Sequence, residues 1–144
     1  MLKFLKVLVL AVLPVFAFSQ EKITWDILKD VKFSEKFNDE LGSYINVPAF
    51  GAKVKAYAGK EVEISGYMIP LDVKQSVYVL SANPFAACFF CGGAGPESVI
   101  DLKFAKVPRR YKTDERITIK GKLKLNSTDI YSLTYVLEGA SQVK

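Results

Sequence analysis

The sequence predicts a mostly-β fold: a small five-stranded antiparallel OB-like barrel preceded by an N-terminal helix and extended arm. Three observations predict it: five segments of alternating apolar and polar residues, a mid-strand glycine in matching register in the two longest, and turn residues between them. Alternation with a period of two marks half-buried strands, because successive side chains leave opposite faces of the backbone. A glycine inside a strand is costly unless a bulge or tight bend needs it, and closing a small barrel needs such bends. A β-sandwich fragment is the competing architecture, since strand order cannot be read from spacing.

The chain opens on an address. Lys3 and Lys6 precede an apolar run over residues 7–18, and Ala17-Phe18-Ser19 supplies the small-residue pattern of a cleavage site. A membrane-spanning helix needs about 20 apolar residues. This run is shorter and is interrupted by Pro14. Residues 1–19 are therefore expected to be a secretory signal peptide, against the alternative of an uncleaved anchor, leaving no transmembrane segment in the mature chain. The expected location is exported, in the bacterial periplasm or outside the cell. Removing these residues takes away two lysines and no acid, so the formal net charge falls from +5 to +3.

Residues 20–59 read as an arm packing on the barrel. Thr24 is placed to cap a short helix through Asp30 that buries Trp25 and Leu28. Residues 46–51 look extended, because Pro48 pushes its predecessor out of the helical region. Trp25, Tyr44 and Phe50 are expected to cover one barrel opening. With no Gly/Ser-rich or Pro-rich linker to divide them, residues 20–144 are expected to share one core.

Residues 60–144 supply the barrel. Val62, Ile64, Gly66 and Met68 share one strand face; Ile117, Ile119, Gly121, Leu123 and Leu125 share another. Residues 76–82 form a third strand, residues 98–104 a fourth with Ile100, Leu102 and Phe104 inward, and residues 131–138 a fifth with Tyr131, Leu133, Tyr135 and Leu137 inward. Leu71-Asp72, Asn83-Pro84, Gly92-Gly93 and Asn126-Ser127 punctuate them.

Half the residues are apolar and 24% charged, yet none of the 144 is histidine. That removes Ser-His-Asp and Cys-His catalysis, histidine zinc sites and c-type haem attachment. What remains is one C-x-x-C, Cys88-Phe89-Phe90-Cys91, followed by Gly92-Gly93-Ala94-Gly95-Pro96. Asn83 and Pro84 make a good helix start and Gly92 a good stop, which predicts a two-turn helix over residues 84–91. Cys88 and Cys91, three apart, would then be neighbours at its C-terminal end. A helix C-terminus and the surrounding phenylalanines both disfavour a thiolate, unlike the settings that activate redox cysteines.

Four readings of this segment stay open. The cysteines can form a structural disulfide or a pair of buried thiols stapling the turn. They can hold a metal, zinc or copper, with Glu97 or Asp101 or a dimer partner completing the shell, since two sulfurs cannot fill a tetrahedral zinc site. They can exchange disulfides, although no thioredoxin-like βαβ pattern surrounds them. Finally, the amides of the glycine run, with Phe89 and Phe90 beside them, can form a binding turn through Gly92, Gly93 and Gly95, although the run lacks the Lys-Ser/Thr of a phosphate loop.

The remaining charges are read as solvated surface. Arg109-Arg110-Tyr111-Lys112 and Lys120, Lys122 and Lys124 belong to a mildly basic exported chain, so no nucleic-acid partner is expected. The carboxylates Asp39-Glu40, Asp114-Glu115, Glu61 and Glu63 receive no catalytic role. Asn126-Ser127-Thr128 matches a glycosylation acceptor by pattern alone.

Three stretches carry a resemblance: Gly66-Tyr67-Met68-Ile69-Pro70-Leu71-Asp72 within the first barrel strand, residues 87–98 around Cys-Phe-Phe-Cys-Gly-Gly-Ala-Gly-Pro-Glu, and Gly121-Lys122-Leu123-Lys124-Leu125-Asn126. Together they resemble an uncharacterised family of exported bacterial proteins, a domain of unknown function. Some members of the wider family are encoded beside zinc-responsive ABC-transport genes. The resemblance thus implies metal homeostasis beside a membrane transport complex. In that branch a Cys-x-His and a proline-rich run replace residues 88–96, a departure that bears directly on Cys88 and Cys91.

The function expected from the residues is an exported, non-enzymatic OB-like binding or accessory protein, with Cys88 and Cys91 as a structural pair. The alternatives are a thiol-based zinc- or copper-binding accessory protein of a transport system, with a homodimer as one way to complete its metal shell, and a thiol-disulfide oxidoreductase.

Overall fold

The computed structural model describes residues 20–106 and 109–144. The expected signal peptide lies outside the described residues. Among those described, no helix is long and apolar enough to cross a membrane.

Five strands close into an OB-like barrel. They are β4 (Glu61–Asp72), β5 (Val77–Ser81), β6 (Val99–Phe104), β7 (Glu115–Leu125) and β8 (Tyr135–Gln142). Around the barrel β4 pairs with β5, β5 with β6, β6 with β8, β8 with β7 and β7 back to β4. All neighbours are antiparallel except β6 and β8, the one parallel contact of the closure. β4 is twelve residues long and β5 only five, so β5 covers β4 only from Tyr67 onward. The bare first half is met by β1 (Glu21–Lys22), which runs parallel to Val62 and Glu63.

The expected alternation fills the barrel. Val62, Ile64, Met68, Tyr78, Leu80, Ile100, Ile119, Leu123 and Leu137 are buried in one apolar core. On the outer face of the β4–β7 pair, Glu61 stands opposite Lys122, Glu63 opposite Lys120, and Tyr67 opposite Arg116, whose guanidinium lies over the ring. Between them the Ser65 and Thr118 hydroxyls hydrogen-bond at 2.7 Å. This is a polar, solvated face, the role expected of Lys120 and Lys122.

The last strand starts later than expected. Tyr131 is 80% exposed and β8 begins at Tyr135. Asn126 is the cause. Its buried side-chain amide donates to the carbonyls of Asp129, Ser132 and Leu133, while its Oδ1 accepts the N–H groups of Thr128 and Asp129. Those backbone groups are consumed in a loop and are lost to a ladder. The same burial withdraws Asn126 from the glycosylation reading.

The arm differs most. Its helix, α1 (Trp25–Leu28), is a single turn, and Leu28 is fully buried as expected. Residues 46–50, expected to be extended, are so as part of a hairpin of β2 (Val31–Asn38) and β3 (Ser43–Phe50), which is followed by a second one-turn helix, α2 (Ala52–Lys55). Trp25 and Phe50 pack on the barrel core, but Tyr44 sits towards the hairpin tip and is 71% exposed. Pairing explains the change: Val31 to Asn38 meet Phe50 to Ser43 residue for residue, and such a ribbon carries its turn end away from its anchored end. The anchor is polar as well as apolar. Asp30 accepts the N–H of Lys53 at 2.8 Å, capping α2, and the buried Tyr135 hydroxyl donates to the Leu28 carbonyl at 2.6 Å.

The two mid-strand glycines serve different ends. At Gly121 the β7–β8 register shifts, as a bend requires. At Gly66 the reason is space: a Cβ would lie 2.6 Å from the Ser81 carbonyl and 3.0 Å from the Trp25 ring. Overpacking of this kind costs about 1–3 kcal/mol. Gly66→Ala is therefore expected to lower the unfolding free energy from urea titration by that amount and to shift Trp25 fluorescence, with Gly42→Ala, an open but left-handed position, leaving the fluorescence unmoved.

Candidate functional site: the cysteine segment

The segment joining β5 to β6 lies over the outer face of the barrel. Pro84 is extended (φ −56, ψ 158), and two separate 3-10 turns follow, Phe85–Ala87 and Phe89–Cys91. The expected two-turn helix is thus broken at Cys88, which has extended backbone (φ −84, ψ 175). Gly92 does end the second turn, in the left-handed conformation (φ 73) that a residue without Cβ adopts readily.

The break has a packing cause. Ile69 and Val79 present apolar side chains on the outside of β4 and β5, and Cys88 packs against both, with Leu133 at the margin. In a continuous helix Cys88 and Cys91 would share one face and be buried or exposed together. The extended residue separates them: Cys88 is 0% exposed and Cys91 is exposed. Side-chain anchors hold the segment down. The Ser81 hydroxyl accepts the N–H of Asn83, and Asp114 accepts the N–H of Phe85 at 2.7 Å. Inside the segment the Cys88 carbonyl accepts the N–H groups of Cys91 and Gly93.

Both cysteines are free thiols and do not stand at disulfide distance. Desolvation, and then the neighbouring Cys88, push the Cys91 thiol above its ordinary value. A raised thiol pKa lowers the thiolate fraction available for exchange or metal ligation at neutral pH.

The other candidates are dispersed. Glu97 folds its carboxylate back over Gly95 and lines a cavity of about 250 Å³ with Trp25, Lys29 and Asn83. Asp101 lies on β6 and pairs with Lys103 at 2.7 Å. Among the described residues no three His, Cys, Asp or Glu side chains converge as a metal site would require. Of the expected binding turn, the amides of Gly92 and Gly93 already donate to Phe89 and Cys88 carbonyls. Phe89 and Phe90 pack edge to face, with Phe90 exposed. Further cavities lie beside Trp25, Ser65 and Thr118 (about 410 Å³) and between the hairpin and residues 126–134 (about 150 Å³). Sequence reasoning missed Ile69, Val79 and Asp114 as the residues that hold the segment. Period two did offer a signal for the first two, since both fall on the outward parity of strands whose outer faces should be polar.

No family model and no curated protein matches the chain. Its fold is similar to the crystal structure of a DUF3299 family protein from Pseudomonas aeruginosa PAO1. The TM-score is 0.53 and the identity 15%, over 88% of this chain and 97% of that one. At that identity the likeness speaks for the fold.

The thiols should respond unequally. Cys88→Ala leaves Ile69 and Val79 underpacked and is expected to cost about 1–2 kcal/mol, whereas Cys91→Ala should stay within about 0.5 kcal/mol of wild type, as exposed substitutions do. Denaturant titrations of the reduced protein measure both. Alkylation of Cys91 in the folded protein should accelerate only above about pH 8.5, the ordinary thiol value; acceleration below it would show an activated thiol.

Proposed function

We propose that the chain acts as an exported OB-like binding or accessory module in which the Cys-Phe-Phe-Cys segment is a structural cover. The observation that carries this reading is the complete burial of Cys88 between Ile69 and Val79, outside the barrel core. A buried free cysteine behaves as a small apolar side chain. The raised Cys91 thiol, the pairing of Asp101 with Lys103 and the position of Glu97 over Gly95 support the same reading. Export is supported by the basic start and apolar run of residues 1–19. Residues 20–59 and 60–144 work together in this proposal, since the arm's Leu28 and the barrel's Tyr135 are joined by a buried hydrogen bond.

One observation favours the thiol-metal alternative: Cys91 is at the surface and close enough to Cys88 for that thiol to influence it. Thiolate pairs select soft ions such as Cu(I), and zinc would need ligands from a second copy. Native mass spectrometry of the reduced protein with Zn²⁺ and with Cu(I) separates the two readings. The structural reading expects the mass of the metal-free chain after desalting; a retained ion at one per chain, or one per dimer, lost on Cys91→Ala, would replace it with the metal reading.

A further inference from the structure

The hairpin of β2 and β3 is a two-stranded sheet of its own, so each strand keeps one edge without a partner strand. Which backbone groups line those edges follows from the register. In an antiparallel pair, directly opposite residues alternate between bonded and non-bonded pairs. The Gly51 N–H donates to the Asp30 carbonyl at 2.7 Å, and this fixes the phase. Lys32, Ser34, Lys36 and Asn38 bond to β3, while Phe33, Glu35 and Phe37 turn their N–H and C=O groups outward. Pro48 agrees, since it has no N–H to give and stands opposite Phe33.

The two edges differ. On β3 the proline interrupts the outward row of donors, and residues 45–48 border the cavity shared with residues 126–134. On β2 nothing interrupts it. The Val31 N–H is taken by the Lys29 carbonyl, but the outward groups of Phe33, Glu35 and Phe37 meet no partner among the described residues. Such a row recurs at every second residue, a spacing that another extended backbone matches, and an open edge of this kind is a template for one.

The side chains beside the edge say which strand it takes. Lys32 and Lys36 are exposed on one face, opposite Ala49 and Ile45, and enter no ion pair among the described residues. The nearest acids lie elsewhere. Glu35 leaves the other face, between Phe33 and Phe37, and Asp39 and Glu40 belong to the turn beyond the last pair. On that other face Phe33 is half-buried, and the exposed Phe37 meets Tyr44 edge to face at 5.4 Å. A second copy of β2 fits this edge poorly. A two-fold axis at Glu35 sets that carboxylate against its own copy, an axis at Ser34 sets Lys32 against the partner's Lys36, and an axis at Lys36 sets Lys36 against itself. Like charges directly opposite are destabilising.

We propose that the free edge of β2 docks an extended segment of a protein partner by antiparallel strand addition, the segment carrying acidic side chains opposite Lys32 and Lys36 and apolar ones opposite Phe33 and Phe37. Neither cysteine takes part, so failure of this docking leaves the structural role of Cys88 standing.

The probe is the acetylated and amidated peptide Thr-Val-Glu-Thr-Thr-Val-Glu-Thr, which meets these requirements when it runs antiparallel to residues 31–38. Titrated into the folded chain, it should half-saturate at or below about 1 mM. Amide exchange at Phe33, Glu35 and Phe37 should then slow about tenfold. Lys32→Glu with Lys36→Glu turns both attractions into repulsions and should weaken binding about tenfold. Proline is tolerated where a strand's N–H faces away from its ladder, so Glu35→Pro should keep the wild-type circular dichroism and lose the peptide. The same peptide N-methylated at its second, fourth and sixth residues lacks the donors of the new ladder and should not bind. No slowing at the three amides, or equal binding by the N-methylated peptide, would overturn the proposal. Wild-type affinity in a folded Glu35→Pro variant would do the same. Protection of these amides in the concentrated chain alone would give the edge to a second copy instead.

Discussion

Closing five short strands into a barrel leaves two open ends, and most of the remaining chain is organised around that constraint. One end receives the arm: Leu28, Val54 and Phe50 join the core, with Phe50 tilted against Tyr135 at 5.8 Å between ring centroids. The Tyr135 hydroxyl is the polar part of this plug. Buried, it must find an acceptor, and the Leu28 carbonyl at the end of α1 supplies it. The same desolvation holds the phenol protonated well above its ordinary range. The other end is filled by aromatic stacking. Tyr111 lies nearly parallel to Phe104 and edge-on to Tyr78, with the Arg109 guanidinium over its outer side.

A second demand arises outside the barrel. The short β5 and the second half of β4 carry apolar side chains on both faces, since Ile69 and Val79 are as buried as Met68 and Leu80. An outer apolar face on an antiparallel sheet needs a cover. The β5–β6 connection provides it, and Cys88 is the side chain that makes the contact. The positions of the two cysteines follow from sheet covering: Cys88 is placed by the apolar surface beneath it, and Cys91 goes where the backbone leaves it.

The barrel was legible in the sequence because alternation is a local property that burial preserves. Val62, Ile64 and Met68, or Ile119 and Leu123, could be assigned to the interior without knowing the strand order. Tyr131 was not legible, because its parity matches Tyr135 and only the side chain of Asn126 diverts the intervening backbone. The hairpin was masked differently. Val31 and Phe33 alternate correctly, but Glu35, Lys36 and Asn38 dilute the pattern, and Pro48 marks residues 46–51 as extended without revealing a partner strand. The cysteine segment misled most, since Asn83, Pro84 and Gly92 are sound helix boundary residues. What overrode them was tertiary: Asp114 and Ser81 hold the segment's N–H groups, and Ile69 and Val79 draw in one cysteine alone.

That override changes what spacing means for this C-x-x-C. Spacing of three residues implies equivalence only when the intervening backbone is a regular helix, where residues i and i+3 share a face. Here one extended residue turns the pair into an inside and an outside position. Cys88 loses solvent access, while Cys91 keeps access but has its thiol pushed up by desolvation and by the neighbouring Cys88. A disulfide would have to draw Cys91 inward or lift Cys88 off Ile69 and Val79, and the second movement would uncover the sheet. A zinc site built on both sulfurs meets the same obstacle, because Asp101 pairs with Lys103, Glu97 folds over Gly95, and no third ligating side chain converges with the two sulfurs among the described residues. The phenylalanines beside the cysteines divide in the same way: Phe85 and Phe90 are exposed and Phe89 is half-buried, so a single segment covers Ile69 and Val79 with its inner side and leaves two aromatic rings on its outer one.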